Sequence, residues 1–91
     1  MTESQLKKQV ISYLKDKGVF WKISDRFQCG IPDILGLLKP SGKFVAIELK
    51  VHPNKVTELQ GYILERIRVC GGIAGVAYSV EEVKEIIDEK I

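Results

Sequence analysis

Asp33, Glu48 and Lys50 are charged residues set in apolar segments, GIPDILG at 30–36 and FVAIELK at 44–50. Buried strands exclude charge unless something compensates for it. The two segments flank Lys39-Pro40-Ser41-Gly42, whose Pro and Gly positions suit a type I turn. If Lys39 pairs with Gly42, cross-strand partners have numbers that add to about 81, and Asp33 faces Glu48. Lys50, two residues on, shares the face of Glu48 because strand side chains alternate. Directly opposed carboxylates destabilise a sheet. Two arrangements resolve this conflict. In one, a divalent cation such as Mg²⁺ sits between the acids, with water and a substrate phosphate completing its shell. There it polarises a phosphodiester and acidifies bound water, while a lysine on the same face orients that water. In the other, Lys50 simply neutralises Glu48, and Asp33 caps the turn after Pro32.

The elements that must position these residues are legible from periodicity. Thr2 and Gln5 form a T-x-x-Q capping box. Leu6, Val10, Ile11, Tyr13 and Leu14 then recur at helical spacing, which predicts a helix over 3–17. VFWKI at 19–23 reads as a strand and 24–30 as a loop. Strands are expected at 31–38 and 43–50, with Ile34, Leu38, Val45, Ile47 and Leu49 forming a core stripe opposite the charges. Val56, Leu59, Ile63, Ile67 and Cys70 mark one face of a second helix, which Gly71-Gly72 ends. Ile73 to Tyr78 is a short strand. Ser79 with Glu82 opens a last helix that runs to about Glu89. The order α-β-β-β-α-β-α makes an α/β fold, a mixed sheet flanked by helices.

Bulk properties agree with one small domain over 1–91. A chain of 91 residues buries only roughly 60–65% of its unfolded surface, so self-association would help it. No apolar run spans a bilayer, and the N-terminal MTESQLKKQ lacks the apolar core of a signal peptide. Action in the cytoplasm of a bacterial or phage-infected cell is the expectation. Cys29 and Cys70 have neither CxxC spacing nor a His cluster, so they are expected to be reduced thiols. The net charge is +2, but residues 81–91 hold five acids and two lysines. The remainder is therefore basic, which is open to two readings, a basic face for a nucleic-acid partner or an ordinary solvated surface. Lys22, Arg26, Lys39, Lys43 and Lys55 are candidates to follow phosphates.

GIPD at 30–33, ELK at 48–50 and Gln60 on the next helix, in this order, resemble the VRR-NUC family, the virus-type replication-repair branch of the PD-(D/E)xK nucleases. The likeness extends from ESQLKKQVISYLKDKG through VFWKIS and the hairpin to LQGYILERIRVCGGIAGV, nearly the whole chain. It implies a restriction-endonuclease-like core followed by a C-terminal helix. It also implies a Mg²⁺- or Mn²⁺-dependent endonuclease that cuts branched DNA of Holliday-junction or flap type, and a homodimer. By that resemblance Asp33, Glu48 and the backbone carbonyl of Leu49 hold the metal, and Lys50 activates the attacking water. Gln60 organises the site, Glu3 reaches it from the first helix through a water, and Gly30 leaves room for DNA. The same resemblance leaves a non-cleaving branched-DNA-binding subunit as the alternative.

Overall fold

Thr2 starts the first helix by a reciprocal pair of bonds. Its hydroxyl accepts from the Gln5 N–H at 3.1 Å, and the Gln5 carboxamide oxygen accepts from the Thr2 N–H at 2.8 Å. The computed structural model describes residues 1–23 and 29–88. In it, α1 spans Glu3–Leu14 and buries Leu6, Val10 and Leu14. It stops short of residue 17. The Lys17 N–H bonds the Leu14 carbonyl three residues back, at 2.9 Å, so the chain tightens and turns into the sheet.

Four strands follow: β1 (Gly18–Lys22), β2 (Ile34–Leu38), β3 (Lys43–Leu49) and β4 (Ile73–Ala77). They lie in the order β1-β2-β3-β4. The first three pair antiparallel, and β3 pairs parallel with β4. The parallel pair requires a crossover, supplied by α2 (Glu58–Val69). A final helix, α3 (Val80–Asp88), closes the chain. The Ser79 hydroxyl caps it, accepting from the Glu82 N–H, while the Glu82 carboxylate reaches back to the Tyr78 N–H. Glu89, the expected end of this helix, and Arg26 lie outside the described residues.

The hairpin register runs from Leu38↔Lys43 to Ile34↔Ile47, as the turn length predicts. The turn itself differs from the expected type I. The Gly42 N–H bonds the Leu38 carbonyl at 2.6 Å instead of that of Lys39. Its φ of +75° is open to glycine without strain. The loop is one residue wider, but pairing resumes at Lys43, so the register is unchanged.

The two faces of the sheet are covered unequally. Ile34, Leu38, Val45, Ile47 and Leu49 project from one face and pack with Ile73 and Ala77 of β4. They meet Leu6, Val10 and Leu14 of α1 and Val83 and Ile87 of α3. Each fully buried Leu or Ile contributes roughly 1.5–3 kcal/mol. On the other face, α2 lays Leu64 across Ala46 and Ala74. The helical face expected from the sequence is corrected here. Val56, Leu59 and Cys70 are exposed, and α2 buries Leu64. Ile67, which the sequence also placed on this face, packs against the same cluster, with Leu35 and Val76 of the sheet.

Candidate functional site

Asp33 sits immediately before β2, where extension of the register sets it across from Glu48. The backbone is pinned there by a 2.7 Å bond from the Ile23 N–H to the Asp33 carbonyl. The side chain is pinned as well. Its Oδ2 accepts from the Leu49 N–H of the neighbouring strand at 2.8 Å. Glu48 is 3% exposed and is the buried charged residue among those described. Its Oε2 accepts from Gln60 Nε2 at 3.2 Å and lies 3.6 Å from Lys50 Nζ. Its Oε1 is buried with no partner.

The local electrostatics follow from this crowding. Burial first, then the charge and hydrogen bonding of Asp33, push the Glu48 carboxyl up to about 7, against a partial opposing effect of Lys50. A carboxylate so placed binds a positive species readily, whether proton or cation. The donors are hard oxygens, and the unpartnered Oε1 gives a cation a ready contact. The arrangement therefore fits Mg²⁺ or Mn²⁺, which commonly take one or two carboxylates and complete the shell with water and phosphate. No group of three or more His, Cys, Asp or Glu side chains converges for metal binding among the described residues.

Gln60 is held at both ends of its amide. α2 opens with a second capping box. The Thr57 hydroxyl accepts from the Gln60 N–H at 3.1 Å, and Gln60 Oε1 accepts from the Thr57 N–H at 2.9 Å. With the oxygen committed to the helix start, the amide nitrogen is directed to Glu48. The segment leading to α2 is tied to β4, because the Tyr78 hydroxyl donates to the Asn54 carbonyl at 2.6 Å and its ring stacks on His52. His52 is thus a surface stacking residue.

Asp33, Glu48, Lys50 and Gln60 are brought together, with the Leu49 N–H holding Asp33 beside Glu48's strand. Glu3 is exposed in the first turn of α1. One helical turn on, Lys7 makes a direct contact, its Nζ 3.6 Å from Asp33 Oδ1. Sequence reasoning missed Lys7. Glu3, four residues earlier on the same helix face, was the only available pointer to it. Thr57 was missed although T-x-x-Q was legible. Lys22 lines an open groove of about 480 Å³ between α1 and β1, together with Lys8 and Lys15. Lys43 and Arg68 line a cavity of about 360 Å³ at the turn end of the hairpin. That end is five residues of β3, roughly 16 Å, from Glu48. Lys39 lies at the same turn, and Lys55 is exposed before α2. At Gly30 φ is +84°, and a Cβ would meet Leu59 and Ile63 of α2 at 2.7 Å, so helix packing also demands this glycine. Cys29 and Cys70 are free and exposed.

Comparison with known proteins agrees with this geometry. Residues 2–81 match the VRR-NUC domain model. A solved structure described as a VRR_NUC domain superposes with a TM-score of 0.79 at 26% identity, covering 98% of this chain and 97% of its own. A second, a VRR_NUC domain protein, gives a TM-score of 0.75 at 18% identity, over 100% and 88% of the two chains. That second likeness bears on the fold alone. No curated protein matches significantly. The mixed sheet flanked by helices, and a family match over residues 2–81, mean that this chain belongs to the VRR-NUC family and is a nuclease-type domain.

Proposed function

We propose that the protein is a Mg²⁺- or Mn²⁺-dependent endodeoxyribonuclease that hydrolyses phosphodiester bonds in branched DNA during replication, repair or recombination. One domain over 1–91 carries the activity, in the cytoplasm. The observation that carries this reading is the buried Glu48 beside Asp33, with one oxygen unpartnered and a lysine and a glutamine on the other. A buried carboxylate oxygen without a partner is costly, and a bound cation would supply one.

Asp33, Glu48 and the Leu49 carbonyl would hold the metal, with Glu3 joining through a water. When bound, it would supply charge to polarise the phosphodiester and to acidify a water. The rest is work for the chain's own residues. Leu49 N–H and Gln60 Nε2 fix the orientation of the two carboxylates. Lys50, largely buried against Glu48, orients the attacking water and stabilises the charge that develops on the phosphate. Lys22, joined in its groove by Lys8 and Lys15, holds the backbone. The family reading implies recognition of DNA structure rather than sequence. A homodimer is supported by Val19, Trp21, Leu37 and Phe44, exposed on one side of the sheet, and by Leu59, Tyr62 and Val69 on α2. A twofold dimer would set two sites on a branch point. No helix among the described residues is long and apolar enough to cross a membrane.

The test is cleavage of labelled four-way junction, flap and linear duplex DNA with Mg²⁺, Mn²⁺ or EDTA. Cutting of a branched substrate is expected, abolished by EDTA and reduced by at least about 100-fold in Lys50→Ala. Metal-independent cutting, or full activity in Lys50→Ala, would overturn the assignment. Tight junction binding without cutting would make the protein a binding subunit.

A further inference from the structure

Lys7 and Lys50 make the site a quartet of two acids and two bases, but the lysines are held differently. Lys50 stands on β3 two residues from its partner, and its side chain is 13% exposed. Lys7 comes from a helix, and its side chain is 27% exposed. The Cα of Lys7 is fixed, because Leu6 beside it is fully buried and the capping box anchors the helix start. Its long unbranched side chain is free to change rotamer. The contact it makes is the one a metal would need. Asp33 Oδ2 is engaged by Leu49, so Oδ1, the oxygen Lys7 faces, is what Asp33 has left to offer.

A divalent cation between Asp33 and Glu48 would compete with the Lys7 ammonium for that oxygen, and like charges at such range repel strongly. The ammonium would then have to leave Oδ1 while its backbone stays. It would remain within one side chain's reach of the carboxylates, at the rim where a phosphate approaching them must pass. The surface beyond is already basic. Lys8, the next residue, lines the groove that continues through Lys15 and Lys22. Eight to fifteen on a helix is roughly 10 Å, about three base-pair steps of backbone rise.

We propose that Lys7 is an exchangeable cation: it neutralises Asp33 in the metal-free protein and binds a DNA phosphate beside the scissile bond once a metal takes its place. The proposal rests on the nuclease reading above. It makes Lys7 a phosphate-binding residue that also sets the metal affinity. Glu3, one turn earlier on the same face, is the competing partner for the displaced ammonium, so DNA must be measured as well as metal.

The experiment compares wild type, Lys7→Gln, Lys7→Arg and Glu48→Gln. Mn²⁺ binding is measured by calorimetry without DNA, and binding of a four-way junction by titration across salt concentrations in Ca²⁺. Lys7→Gln is expected to bind Mn²⁺ about two- to fivefold tighter, the loss of a part-exposed ion pair. It should bind the junction more weakly, with a log–log salt slope smaller by about one. Lys7→Arg should restore the slope. The opposite signs separate this from a structural salt bridge, whose loss would lower the melting temperature alone. Unchanged or weaker Mn²⁺ binding, or an unchanged salt slope, in a folded Lys7→Gln would overturn the proposal and leave the nuclease reading standing. Mn²⁺ heats equal in wild type and Glu48→Gln would instead overturn the nuclease reading.

Discussion

The two faces of one sheet have been built for different ends. The face under α1 and α3 closes on a continuous cluster of twelve buried apolar residues. The face under α2 buries only Ala46, Leu64 and Ala74, and it carries Glu48 at its end. Neighbouring residues of β3 illustrate the contrast. Ile47 and Glu48 are almost equally buried, one in a packed core and the other against another carboxylate. Stability is concentrated on one side, while the other tolerates an arrangement that lowers it. Sites that bind and react commonly carry such strain, compensated elsewhere in the fold.

The largest effect should come from the packed side. Ile47→Ala is expected to lose about 3 kcal/mol by leaving a cavity in the main cluster, readable by urea denaturation. A loss well under 1 kcal/mol would mean that the core is looser than its burial suggests.

Glu48→Gln should act in the opposite direction in metal-free protein. The folded Glu48 holds its proton up to about 7, above its ordinary value of 4.5. A raised carboxyl stabilises the fold below the ordinary value and loses that contribution as pH rises through the folded one. At pH 8 the variant, which resembles the protonated form, should be more stable than wild type by up to about 3 kcal/mol. Well below the ordinary value of 4.5 the difference should vanish. A variant less stable than wild type at pH 8 would show that the Lys50 and Gln60 contacts outweigh the crowding.

The smallest effect tests how the two sides are joined. Thr57→Ala should cost about 1 kcal/mol as a lost cap. It should also lower cleavage severalfold by fraying the helix start that carries Gln60, even though the Thr57 N–H can still bond Gln60 Oε1, and Thr57→Ser should restore both. Lost stability with undiminished cleavage would make the capping box purely structural.

Much of this was legible from residues alone. Turn length fixed the numbers that pair, so Asp33 and Glu48 could be set opposite each other before any coordinates. The alternation of Ile34, Leu38, Val45, Ile47 and Leu49 named the core face. The first capping box was read correctly at Thr2 and Gln5 because nothing else competed for those residues. At α2 the apolar spacing misled. Val56, Leu59 and Cys70 look like part of a buried face, yet α2 turns Leu64 and Ile67 onto Ala46 and Ala74 and leaves those three exposed. Which helical stripe packs depends on its partner surface, which local periodicity does not contain. Lys7 escaped for a related reason. On a helix surface it reads as a solvated charge, and only the tertiary fold brings its ammonium to Asp33. The capping role of Thr57 is legible in the sequence, because T-x-x-Q stands there as plainly as at the N-terminus.

The central claim is that Asp33 and Glu48 together hold a divalent ion. It is tested most directly by calorimetric titration of Mn²⁺ at pH 8 into wild type, Asp33→Asn and Glu48→Gln, each checked for folding. Saturable binding to wild type is expected, with a loss of at least about tenfold, some 1.4 kcal/mol, in each variant. Undiminished binding in both variants would contradict it and place the ion, and with it the chemistry, elsewhere.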